Sequence, residues 1–136
     1  MKLVLDTNIL VSGLMSKAGP PGQLIGRWLE GRFTLLTSAY QLEELRRVLD
    51  YEHLKTRINR DQVRDLFANI DALAVLVEDL PTFHLSPDPD DNPILAIAVG
   101  GQAQLVVSGD KGHMVALGTV EGIPILSARD ALAQVG

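Results

Sequence analysis

Short apolar runs separated by helix-like stretches constrain this chain more than any other feature. Lys2–Leu5, Phe33–Thr37, Ala74–Val77, Leu105–Ser108 and Ile123–Leu126 are each four or five residues long and rich in Leu, Val and Ile. Near-continuous runs of this kind belong to strands covered on both faces. Between them the apolar residues recur at helical spacing. A helical stretch starts at about Ile9 and breaks at Gly19-Pro20-Pro21-Gly22, and a short helix covers Gln23–Glu30. Ser38, with Gln41 three residues on, reads as a capping box opening a helix over Ala39–Asp50. Asn59 with Gln62 repeats the signature ahead of Val63, Leu66, Phe67, Ile70 and Leu73. Pro93 at a first helical position opens Ile94–Val99, which ends at Gly100-Gly101, and Ser127 caps the last helix. Strands alternating with helices imply right-handed crossovers. The expected fold is α/β: a three-layer α/β/α sandwich around a central, mostly parallel sheet of about five strands. At 136 residues, residues 1–136 read as a single domain.

Carboxylates stand at the ends of these runs. Asp6 follows the first strand and Asp110 follows the fourth, in the turn Ser108-Gly109-Asp110. In open α/β sheets, ligands bind beyond the carboxyl ends of the strands. Parallel strands put both acids on that edge, and they meet only if the two strands are neighbours. Taken alone, Asp6 also suits a helix N-cap. Glu44 differs from Glu43 by one helical step. With Leu42, Leu45, Val48 and Leu49 as the buried stripe, Glu44 falls at the stripe's edge and Glu43 faces solvent. Asp88, Asp90 and Asp91, with Asn92, crowd the start of a helix, where one aspartate suffices for the dipole. Periodicity does not choose between Asp90 and Asp91. Clustered carboxylates repel unless a proton or cation compensates, and an all-oxygen set suits Mg²⁺ or Mn²⁺. Asn8 and Ser108 are placed to hydrogen-bond such ligands, whereas Thr7 reads as turn and cap chemistry. His53, His84 and His113 lack the spacing of a zinc pair and read as surface residues.

The net charge of −5 is unevenly spread. Residues 1–64 carry ten Lys/Arg against seven Asp/Glu, and residues 65–136 carry two against ten. Arg46, Arg47, Arg57 and Arg60 cluster around one helical hairpin and are candidate phosphate contacts, or else a solvated helix face. The absence of cysteine rules out a disulfide framework and thiolate metal sites, and makes a cytoplasmic location the expectation. Asp6, Thr7 and Asn8 interrupt the only apolar stretch near the N-terminus, against a signal peptide, and no run is long enough to span a membrane.

The segments KLVLDTNILVSGL, LLTSAYQLEELRRVL, DPDDNPILAIAV, LVVSGDKGHM and IPILSARDAL, in this order, resemble the PIN-domain family, and within it the VapC-related toxins of toxin–antitoxin pairs. The resemblance covers essentially the whole chain. It implies acidic metal ligands and catalytic groups at Asp6, Glu44, Asp91 and Asp110, with Asn8 as the polar residue after strand one. Ser108 stands where relatives often have threonine and keeps the hydroxyl. It further implies Mg²⁺- or Mn²⁺-dependent endoribonuclease cleavage of single-stranded or looped RNA, in a homodimer held inactive by an antitoxin. Two alternatives are a receiver-like Mg²⁺-binding signalling domain and a PIN fold that binds without turnover.

Overall fold

In the computed structural model, residues 1–81, 92–110, 112 and 114–136 are described. Asp88, Asp90, Asp91, His84, Lys111 and His113 lie outside them. The strands are β1 (Lys2–Leu5), β2 (Thr34–Thr37), β3 (Val75–Leu76), β4 (Leu105–Val107), β5 (Thr119–Val120) and β6 (Ile123–Leu126). They form one sheet in the order β3-β2-β1-β4-β6-β5, parallel except for the β5–β6 pair. The mostly parallel α/β sheet expected from the sequence is therefore present, with one extra antiparallel edge strand. Two residues of β5 carry no periodic signal, and Gly122, at φ +81°, turns the chain straight back into β6.

The helices are α1 (Thr7–Met15), α2 (Pro20–Leu29), α3 (Ala39–Leu49), α4 (Glu52–Lys55), α5 (Arg60–Leu73), α6 (Asn92–Gly100), α7 (Met114–Leu117) and α8 (Ala128–Val135). The Gly19-Pro20-Pro21-Gly22 segment separates α1 from α2, but its prolines are the first residues of α2. A proline there gives up an N–H that has no intrahelical partner anyway. The single-turn helices α4 and α7 were not legible, being too short to show a period.

Side chains alternate across each strand and so divide the core. Leu3, Leu5, Leu35, Leu105 and Val107 pack with α1, α2, α3, α5 and α8. Val4, Leu36 and Val106 pack on the other face with Ile94, Leu95, Ile97 and Ala98 of α6 and Met114 of α7. Burying one such side chain fully is worth about 1.5–3 kcal/mol, so both layers contribute substantially. Among the described residues no helix is long and apolar enough to cross a membrane.

This topology fixes where a site can form. From β1 the strand order runs one way to β2 and β3, and the other way to β4, β6 and β5. Helix α1, following β1, covers one face, while α7, following β4, lies on the other. The order therefore reverses at β1 and β4, and open α/β sheets bind ligands beyond the carboxyl ends of strands at such a point.

Candidate active site at the carboxyl edge of β1 and β4

β1 and β4 are direct neighbours, with Leu5 in register with Val107. The next residues out are Asp6 and Ser108, and the Asp6 N–H donates to the Val107 carbonyl at 2.9 Å. Asp6 occupies the N-cap position of α1, yet its side chain makes no capping hydrogen bond. It is 7% exposed, and its Oδ2 accepts the Ser108 hydroxyl at 3.0 Å. The capping alternative is thereby removed. Ser108 is fully buried, and its Oγ also accepts the Asp110 N–H at 3.0 Å. Asp110 is partly buried, and its Oδ1 accepts the Gly112 N–H at 3.1 Å. One hydroxyl thus links the two acids that end these strands.

Glu44 reaches the same edge from α3. It is half-buried where Glu43 is exposed, and its Oε1 accepts the Thr7 hydroxyl at 2.5 Å. Thr7 is buried immediately after Asp6, so its role exceeds turn chemistry. The helix face differs slightly from the one the sequence suggested. Gln41, Leu45 and Leu49 are buried, while Leu42 and Val48 are half-buried. Gln41 is one turn before Glu44 on the same side of α3, which carries Glu44 inward.

Gln41 was missed as a site residue. Ser38 does cap α3, accepting the Gln41 N–H at 3.1 Å. The Gln41 side chain does not complete a capping box. Its Nε2 donates to the Leu5 carbonyl at 2.7 Å, and its Oε1 accepts the Thr37 hydroxyl at 2.7 Å. A buried polar atom without a partner costs on the order of 1–3 kcal/mol, so this amide pins the ends of β1 and β2 together behind Asp6. The one available signal was a glutamine aligned with the apolar stripe. At Asn59, by contrast, both halves of the capping box form.

Asn8 is exposed in the first turn of α1. Asp91 falls outside the described residues, where α6 begins with the buried Asn92. Among the described residues no three carboxylates or histidines stand close enough to hold a metal ion. Asp6, Glu44 and Asp110 are instead joined through Thr7 and Ser108.

The arginine cluster gathers elsewhere, on the α3–α5 hairpin. Arg46 stacks over the Phe67 ring at 4.4 Å, and Arg60 pairs with Asp50 at 3.0 Å while donating to the Leu49 carbonyl at 3.1 Å. Arg64 pairs with Asp61, and these side chains line a cavity of about 490 Å³. Arg47, one turn beyond Glu44 on α3, is exposed, as is Arg57.

Comparison with known proteins gives the family of the chain. An uncharacterized protein of Methanocaldococcus jannaschii is 26% identical over 112 residues, covering 82% of this chain and 72% of that protein. No solved structure matches significantly. The sequence profile of the PIN domain matches residues 2–112, which run from β1 through the Asp110 turn. The chain belongs to the PIN-domain family, whose members are generally nucleases.

Proposed function

We propose that this protein is a metal-dependent endoribonuclease of one domain, residues 1–136, cleaving single-stranded or looped RNA in the cytoplasm. The observation that carries the reading is Asp6. It is a carboxylate buried where β1 and β4 end, and it shares the Ser108 hydroxyl with the main chain of Asp110, the second acid on this edge. Asp6, Glu44 and Asp110 offer only oxygen donors, a chemistry that suits Mg²⁺ or Mn²⁺, but the three would have to draw closer than they stand to share one ion, and Asp91 would be the fourth donor. When bound, such an ion supplies Lewis acidity and offsets charge that builds on the phosphoryl group. The chain's own residues do the positioning. Ser108 fixes the rotamer of Asp6, Thr7 fixes Glu44, and Gln41 holds the end of β1 against β2. Asn8, exposed in the first turn of α1, would support the ligand shell.

The exposed Arg47 and Arg57 are the better candidates for RNA phosphates. Arg46 and Arg60 already hold Phe67 and Asp50, so a phosphate would have to displace those contacts. A role as the toxin of a toxin–antitoxin pair, with an antitoxin and a second copy as partners, rests on the resemblance. Family membership leaves the receiver-like alternative without support.

The test is incubation of the purified protein with a labelled RNA pool in Mg²⁺, Mn²⁺ or EDTA. Cleavage should require the metal and fall at least about a hundredfold in Asp6→Asn, with folding retained. Full activity in that variant, or in EDTA, refutes the assignment. Metal-dependent RNA binding without cleavage would favour the binding-only alternative.

A further inference from the structure

Among the described residues the sheet has an unpaired edge at β3, away from the carboxyl ends of β1 and β4. Among the described residues β3 ends the strand order and pairs only with β2, with Leu36 opposite Val75 and Thr37 opposite Leu76. The Val77 N–H donates to the Thr37 carbonyl at 2.8 Å. Backbone groups alternate sides along a strand, so the N–H and C=O of Leu76 point outward, away from β2.

The side chains around that edge are unusually apolar. Leu73 is 50% exposed, Val75 47% and Leu76 48%. These are three of the seven large hydrophobic residues exposed among the described residues, and they fall within four positions. Clustered exposure of this kind marks an interaction surface, whereas scattered exposure does not. Edge strands are commonly guarded by lysine or proline on the strand itself, and β3 carries neither. Its flanks are acidic: Asp71, Glu78 and Asp79 are all exposed. The sequence contains no Lys or Arg from residue 65 to residue 110.

We propose that this edge docks an extended segment of a partner polypeptide in which basic residues flank apolar ones, added beside β3 as a further strand. Main-chain hydrogen bonds to Leu76 would give register, the apolar trio would bury the partner's apolar side chains, and the acids would select its charge. A second copy of this chain would bring its own three acids against the same three, so a homodimer would form through another face. Nucleic acid is repelled for the same reason. The proposal is independent of the nuclease chemistry.

The probe is a short synthetic peptide alternating valine and lysine, titrated against the full chain, with a valine–glutamate peptide as control. The lysine peptide should bind saturably and more weakly as salt rises. It should slow hydrogen exchange at the Leu76 amide by about tenfold or more. Replacing Asp71, Glu78 and Asp79 together by lysine should weaken that peptide at least about tenfold and favour the glutamate peptide. If the triple variant fails to fold, Glu78→Lys alone should show the same direction. Absence of saturable binding, binding that leaves the Leu76 amide unprotected, or equal affinity in the charge-reversed protein overturns the proposal. So does self-association that protects Leu76 without peptide, which would assign the edge to a second copy.

Discussion

The Ser108 hydroxyl donates to Asp6 Oδ2 at 3.0 Å, tying the end of β4 to the end of β1 inside the protein. The same oxygen accepts the Asp110 N–H, so one small side chain serves both acids.

Ser108→Ala should therefore remove one hydrogen bond from the buried Asp6 carboxylate and one from the Asp110 N–H. The expected cost is about 1–3 kcal/mol, read by urea denaturation, together with lost RNA cleavage. Ser108→Thr keeps the hydroxyl but adds a methyl group to a fully buried site, at about 1–3 kcal/mol. It should retain more activity than the alanine variant. An alanine variant with wild-type stability and turnover would mean the hydroxyl positions nothing.

Glu43 and Glu44 are adjacent and chemically identical, yet only Glu44 takes the Thr7 hydroxyl. Glu44→Gln should slow cleavage by about tenfold or more, and Thr7→Val should produce a smaller loss in the same direction. Glu43→Gln, an exposed change, should stay within about 0.5 kcal/mol of wild-type stability and cleave normally. Side-by-side initial rates settle it, and equal losses at both glutamates would undo the assignment of Glu44.

A ligand that binds only the folded state stabilises it by about 2.7 kcal/mol at a hundredfold excess over its dissociation constant. Mg²⁺ or Mn²⁺ should accordingly raise the melting temperature of the wild type, and EDTA should reverse the shift. Asp6→Asn should show no metal-dependent shift while melting cooperatively. Scanning calorimetry with and without metal makes the comparison. An equal shift in the variant would place the metal elsewhere.

Two glycines of α2 should respond oppositely to alanine. A Cβ at Gly26 meets nothing within 4 Å, so Gly26→Ala should stabilise by about 0.5–1 kcal/mol through lower chain entropy. A Cβ at Gly22 would sit 2.4 Å from the Ser16 carbonyl oxygen and 2.6 Å from Lys17 Cα. Both are backbone atoms at the α1–α2 junction and cannot swing aside. Gly22→Ala should cost more than Gly26→Ala gains, and thermal melts of the two variants with matching signs would contradict this geometry.

Much of the fold was legible because its signals are local. The Leu/Val/Ile runs located β1, β2, β4 and β6, and Ser127 and Asn59 marked the helices they cap. One hundred degrees of rotation per residue separated Glu44 from Glu43 before any contact was known. The failures were local too: β5, α4 and α7 are shorter than any period that would announce them. The double proline read as an interruption because a stop before a helix and a start of one use the same residue. Gln41 resembled a capping-box member, and its choice of Leu5 and Thr37 over Ser38 depended on the end of β1, distant in sequence, coming to lie beside the end of β2.

The order of residue types alone placed Asp6 and Asp110 just beyond strand ends, because apolar runs and their polar terminators are written in consecutive positions. It did not state that β1 lies against β4, or that Leu5 registers with Val107. Strand order arises from non-local pairing, where each face must find a complementary covering of helices, and no window of sequence contains that information. Only the assembled sheet decided that Asp6 would meet Ser108, and that Thr7 would meet a glutamate thirty-seven residues away.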